Sequence, residues 1–321
     1  MTTIGYGALA LALVISIYTA IASILGARRG SAKLAESAQK GIATSAVLVT
    51  LAALALFYLL LTRDFQVKYV YQHVSTYLPT IYVFSAFWAG QEGSLLLWLW
   101  LLTIFSVLIA RREGGWDQEL KPYVLAVLAF CQVFFASLLV FASNPFATYP
   151  FRPAEGFGLN PLLENFWMII HPPVVFIGYA AYTVPFAFAI AALATGKLGE
   201  KWIRGIRRWN LFAWLFLGLG IIMGAWWSYQ ELGWGGYWGW DPVENSSLIP
   251  WLVGTAFLHS AMTQERRGMF KVWNLVLIIL TFVLCIFATF VTRSGIIQSV
   301  HAFGESAIGY YFLVFLAIVL A

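Results

Sequence analysis

The sequence predicts an all-α integral membrane protein, a polytopic bundle of about nine transmembrane helices with its chemistry in the loops of one face. Three observations predict it. Of 321 residues, 61% are hydrophobic and only 10% are charged, against roughly 25% charged in a soluble domain. The apolar residues form long runs of membrane-crossing length. The charges collect in the short breaks between runs, and they do so unevenly.

The first run, Ile4 to Ala27, carries no charge. It can cross the ~30 Å hydrocarbon layer, which takes about 20 helical residues. No basic stretch precedes it, which argues against a cleavable signal peptide. Further helices are expected near 41–62, 81–110 (with a break around Gly90 to Gly93), 122–143, 171–195, 209–228, 248–264, 273–291 and 308–321. There is no soluble domain, no repeat and no low-complexity segment, so residues 1–321 read as a single transmembrane domain. The last run spans only ~20 Å at 1.5 Å per residue. The expectation is that these residues are the front part of a longer protein, or one piece of a split one.

Assigning breaks to alternate sides places Arg28, Arg29, Lys33, Lys40, Arg111, Arg112, Lys121, Lys197, Lys201, Arg204, Arg207, Arg208, Arg266, Arg267 and Lys271 together, 15 of the 19 basic residues. Arg63, Lys68, Arg152 and Arg293 remain on the other side. By the positive-inside rule the 15-charge side is cytoplasmic, and the N-terminus starts outside. The net charge of +5 is thereby explained by topology, and no nucleic-acid partner is expected. Cys131 and Cys285 lie inside apolar runs, and there is no CxxC or CxxCH, so neither a disulfide framework nor covalently attached haem is expected.

Three of the four histidines, His73, His171 and His301, fall on the outer face. So does an external Trp-rich loop, 226–247, reading Trp226-Trp-Ser-Tyr-Gln-Glu-Leu-Gly-Trp234-Gly235-Gly236-Tyr237-Trp238-Gly239-Trp240-Asp241-Pro242. Six of the 15 tryptophans lie between 226 and 251. An aromatic belt at the headgroups explains scattered rings such as Trp98 and Trp202. It does not call for a glycine beside each ring. Glycine lets backbone approach a flat surface closely, so the loop reads as a shelf for a planar macrocycle. A porphyrin also needs iron ligands, commonly imidazole. His171, placed as His-Pro-Pro at a helix start, and His301 are the candidates. Asp241 and Glu244 are either partners of a ligand histidine or caps of the next helix, and the cap is favoured for Asp241 before Pro242.

The stretch Trp234-Gly-Gly-Tyr-Trp-Gly-Trp-Asp-Pro-Val-Glu-Asn245 resembles the tryptophan-rich "WWD" signature of haem-handling proteins in cytochrome c maturation. The resemblance is to the CcmF family, haem lyase subunits of the bacterial system I pathway. Trp88-Ala-Gly-Gln-Glu-Gly-Ser94, Leu159-Asn-Pro-Leu-Leu163, His171-Pro-Pro173, Leu258-His259, Thr292-Arg-Ser-Gly295 and Val300-His-Ala-Phe303 support it. Gln91 departs from it, standing where a histidine is expected, and no ligand is assigned there.

The resemblance implies a protein of the bacterial cytoplasmic membrane with its Trp-rich loop on the periplasmic face. It implies transfer of haem from a membrane-tethered haem chaperone to the CxxCH of apocytochrome c, delivered by a thiol-reducing presenter. His171 and His301 would ligate the transient external haem, with Trp234, Gly235, Gly236, Tyr237, Trp238, Gly239, Trp240 and Asp241 against its face. His259 would hold a resident haem b, and Arg293 is a candidate partner for propionates. Nothing in the sequence resembles a nucleophile with a base, which suits thioether formation, a reaction governed by positioning. A haem transporter without chemistry would show paired broken helices and repeat symmetry. Neither is seen. A transmembrane haem transporter, a nitrite-reductase-specific paralogue and a system II paralogue are the alternatives.

Overall fold

The computed structural model describes residues 1–297, 299 and 308–321. His301 lies outside the described residues. The described residues form eleven α-helices: α1 (Thr2–Arg29), α2 (Ala32–Leu61), α3 (Lys68–His73), α4 (Thr80–Ala89), α5 (Gln91–Arg111), α6 (Lys121–Ser137), α7 (Phe166–Thr195), α8 (Glu200–Glu231), α9 (Pro242–Arg267), α10 (Lys271–Arg293) and α11 (Ile308–Leu320). The one β pairing among them is an isolated bridge between Val67 and Thr148. Seven segments, α1, α2, α5, α6 with its continuation to Ala142, α7, α8 and α10, are long and apolar enough to cross a membrane. The 26 residues of α9 match the crossing in length while carrying more polar side chains. The molecule is a polytopic membrane bundle.

The expected break near Gly90 to Gly93 separates α4 from α5, and its cause is a close approach. A Cβ at Gly90 would stand 2.4 Å from His73 Nε2, and one at Gly93 would stand 1.8 Å from the carbonyl oxygen of Phe87. The groups freed by the break are satisfied by one phenol: Tyr69 Oη donates to the carbonyls of Ala86 (2.8 Å) and Phe87 (3.0 Å) and accepts from Gly90 N at 3.1 Å.

Several helices begin earlier than their apolar runs. The Ser31 hydroxyl accepts from Leu34 N and starts α2 ahead of Lys33 and Lys40. Asn165 accepts from Trp167 N at 2.8 Å and starts α7 before His171. Asp241 and Glu244 form a capping box that starts α9 at Pro242. The Trp-rich segment is consequently shorter than expected, because Trp226 and Trp227 belong to α8 and the loop proper is 232–241.

Helices approach closely where glycine faces a neighbour. On α7, a Cβ at Gly178 would lie 2.6 Å from Leu217 N of α8, and on α8 one at Gly220 would lie 2.9 Å from Val175 N. Without a hydrophobic drive between helices in lipid, such small-residue contacts and buried hydrogen bonds supply association. The hydrogen bonds include a fully buried knot on four helices: Gln132 Oε1 accepts from Ser16 Oγ (3.3 Å) and Ser45 Oγ (3.1 Å), and its Nε2 donates to Ser106 Oγ (2.9 Å).

The connections sort to two ends. At one, 62–80 meets 143–160 through Lys68 N to Ala147 O (2.8 Å) and Tyr149 N to Gln66 O (2.8 Å). Trp227 Nε1 donates to Leu162 O, and Ser299 Oγ donates to Asp241 Oδ2 at 2.6 Å. At the other, Lys197 pairs with Asp117 (3.0 Å) and with Glu119, Arg112 donates to Gly205 O (2.7 Å), and Gln264 donates to Leu198 O (3.2 Å). The Trp-rich loop sits at the first end and the basic loops at the second, as the alternation of charge requires.

Candidate functional site

At the Trp-rich end a cavity of ≈ 270 Å³ opens between α4, α7, α8, α9 and α10, with His171, Trp88, Trp227, Trp238, Glu244 and Arg293 among its walls. His171 is half-buried, in the second turn of α7 and not at its start. Its Nδ1 lies 2.7 Å from the carbonyl oxygen of Gly220 on α8. A carbonyl can only accept, so Nδ1 carries the proton, and the neutral imidazole keeps its lone pair on Nε2. That is the arrangement in which a histidine ligates a metal while its other nitrogen is held by backbone. The ring fits because α8 has glycine opposite it: a Cβ at Gly224 would stand 2.5 Å from His171 Cε1.

The two prolines after His171 lie inside α7, contrary to the expectation that they open it. Pro172 has no N–H for the carbonyl of Met168, one turn back. Trp88 Nε1 donates to that oxygen at 3.1 Å instead. The indole of α4 thus repairs the helix at the point that carries the ligand candidate.

The loop glycines serve mostly the loop. A Cβ at Gly239 would stand 2.7 Å from the Trp234 ring, and Gly235 adopts φ +64. The first is an internal packing contact and the second a turn. Trp234 Nε1 donates to Gly236 O at 3.1 Å. Tyr237 stacks on Tyr229 at 4.5 Å between ring centroids. Trp240, 73% exposed, has φ +56, a left-handed backbone rarely adopted by a bulky residue. It is held there from α9: Asn245 Nδ2 donates to Trp240 O at 3.0 Å, and Glu244 Oε2 accepts from Gly239 N (2.8 Å) and Asp241 N (3.3 Å). Asp241 is the N-cap, accepting from Val243 N at 2.9 Å. Of the loop rings, Trp238 borders the cavity.

Arg293 is not the outer-loop residue expected from sequence. It ends α10, is 1% exposed, donates from Nη2 to Ser94 Oγ at 2.7 Å and lies 5.9 Å from the Phe176 ring centroid. It still shares the cavity wall with His171. His73 Nδ1 lies 2.8 Å from Tyr69 O and its ring stacks on Tyr69, while Gln91 Nε2 donates to Ser143 Oγ at 3.4 Å. His259 stands apart, exposed on α9, and no group of three metal-binding side chains occurs among the described residues. Gly220 and Gly224 were missed from sequence, although a Gly-x-x-x-Gly pair inside an apolar run is a helix-contact signal.

Residues 88–298 match the cytochrome C assembly protein family. The chain belongs to that family. The matched stretch of this cytochrome C assembly protein contains the cavity walls named above, the Trp-rich loop and His259, and it ends before His301. The chain is 46% identical over 319 residues to the cytochrome c-type biogenesis protein CcmF of Haemophilus influenzae, covering 99% of this chain and 49% of that protein. It is 42% identical to CcmF of Escherichia coli K12 over 322 residues, covering 100% and 50%. A solved structure titled "Cytochrome c Heme Lyase CcmF" superposes with a TM-score of 0.85 at 35% identity, over 99% of this chain and 49% of that one. The chain therefore spans about half the length of the curated relatives it matches.

Proposed function

We propose that this chain is the haem-receiving part of a cytochrome c haem lyase of the bacterial cytoplasmic membrane, with the Trp-rich end on the outer face. The observation that carries this reading is the cavity-lining imidazole of His171, set by Gly220 O in the tautomer that offers Nε2 to a metal. His171 binds the iron of the incoming haem, and His301 is the second ligand. The loop from Trp234 through Gly235, Gly236, Tyr237, Trp238, Gly239 and Trp240 to Asp241 lies against the haem, and Arg293 offers a cation to its propionates.

The haem arrives from a membrane-tethered chaperone. Each thiol of the apocytochrome CxxCH, kept reduced by its presenter, adds across a vinyl group: a C–S bond forms, the thiol hydrogen goes to the neighbouring vinyl carbon, and nothing leaves. Such an addition needs both partners held in register, and positioning can supply several kcal/mol of the barrier. His259 holds a resident haem b, which when bound would supply one-electron redox chemistry. The test is haem transfer by the protein with His171→Ala or His301→Ala. Abolished transfer with unchanged helical content is expected, and loss of only a few per cent in both variants would refute the ligand roles.

A further inference from the structure

We propose that Trp238 serves the cavity as a hydrogen-bond donor to a carboxylate of the bound haem, and not as one more face for its ring. The inference rests on the haem reading above. Three indoles border the cavity, Trp88, Trp227 and Trp238. Two spend their N–H on backbone: Trp88 Nε1 on Met168 O at 3.1 Å and Trp227 Nε1 on Leu162 O at 3.2 Å. Trp238 Nε1 is buried and finds no acceptor among the described residues.

A buried donor without an acceptor is unfavourable, and native proteins keep few of them without a reason. Trp98, Trp116, Trp202 and Trp251 share this condition, but none of them borders the cavity. The carboxylate in the cavity wall, Glu244, is engaged elsewhere, because Oε2 takes two loop amides and Oε1 faces Ser228 Oγ at 3.5 Å. The indole is oriented by an edge-to-face contact with Trp240, 6.3 Å between centroids at 84°. With Arg293 in the same wall, an entering carboxylate would meet a cation and an indole N–H, and a hydrogen bond to an ionised group is about twice as strong as a neutral one. Iron porphyrins bearing propionates are thereby favoured over those without.

The test is the detergent-purified protein carrying Trp238→Phe, which keeps an aromatic ring and deletes the N–H. It is titrated with haemin and, separately, with iron octaethylporphyrin, which has no carboxylate. Haemin affinity should fall about tenfold or more, and by a clearly larger factor than iron octaethylporphyrin affinity, with helical content reporting an intact fold. Unchanged haemin affinity, or an equal loss for both porphyrins, would overturn the donor role and leave the haem reading standing. Failure of the wild type to bind haemin would overturn both.

Discussion

His171 Nδ1 and the carbonyl oxygen of Gly220 stand 2.7 Å apart, joining two membrane-spanning helices at the edge of the cavity. The contact sets the tautomer of the imidazole and leaves its other nitrogen as the lone-pair donor. It exists because the next turn of α8 presents Gly224, with no side chain under the ring.

Replacing Gly224 with alanine separates packing from helix preference. In an ordinary helix interior the change stabilises by about 1 kcal/mol. Here the added methyl would stand 2.5 Å from His171 Cε1, so the ring must move and the bond to Gly220 O must lengthen. Haem affinity is expected to fall about 10- to 100-fold, the usual effect of losing the partner that orients a metal ligand, with thermal stability changed little. A Gly224→Ala protein that binds haem like the wild type would show that the contact does not position the ring.

Glu244 organises the Trp-rich loop by accepting from two backbone amides with one oxygen. Glutamine keeps the shape but loses the charge and can turn its NH₂ toward those donors, leaving a buried amide unsatisfied at about 1–3 kcal/mol. Glu244→Gln should speed hydrogen exchange at 239 and 241 by roughly tenfold or more while exchange in the buried knot around Gln132 is unchanged. Equal exchange at the loop amides in both proteins would count against this role.

Most of the bundle was legible from apolar runs because lipid-spanning helices must be long and uncharged. Their ends were not. The apolar run alone starts α9 at 248, whereas the capping reading of Asp241 before Pro242 is met, and packing buries Glu244 and Ser246 in the first turns. The histidine ligand candidate and the Trp-rich loop were visible as residue types. Their relation was not, since His171 meets Gly220 across 49 positions. The glycines beside the tryptophans suggested a ligand shelf, whereas at Gly239 the space is taken by Trp234 itself. Arg293 looked like a loop cation because its partner, Ser94, lies 199 positions away.

His73 gives the Trp-rich end a pH dependence. Burial pushes its pKa below the ordinary value, outweighing the Tyr69 carbonyl that pulls the other way. The folded state therefore prefers the neutral ring, while the unfolded ring takes a proton at about pH 6.5. The contribution is fully present above that pH and is lost as the pH falls through the lower folded value. Exchange at residues 68–78, corrected for intrinsic rates, should rise from pH 7.5 to pH 5, and His73→Phe should remove the rise. A pH-independent wild type would refute it.

Orientation is tested by reporters. If the 15-to-4 split of basic residues sets the orientation by the positive-inside rule, fusions after residues 155 and 235 should report outside, and those after 115, 203 and 268 inside. An outside signal at 203 would invert the assignment.

His259 is exposed where His171 is half-buried, and its depth can be fixed from α9. It stands 17 residues after Pro242 and 8 before Arg267, roughly 26 Å and 12 Å along the axis at 1.5 Å per residue. That is deeper than a helix starting at 248 would put it, because α9 starts six residues earlier than its apolar run. The resident haem b proposed at His259 would therefore be a site separate from the haem proposed at His171. Its face of α9, with Ile249, Leu252 and Ala256, is exposed, and an ionisable group within a membrane helix is a functional candidate by default. A haem b bound there needs a second ligand at similar depth, and no other histidine among the described residues stands there. In the purified protein, His259→Ala should abolish the b-type absorbance of the resident haem while His171→Ala leaves it unchanged. Undiminished b-type absorbance in His259→Ala, or a full bis-histidine spectrum from residues 1–321 alone, would show that His259 is a structural residue of the helix surface and not an iron ligand.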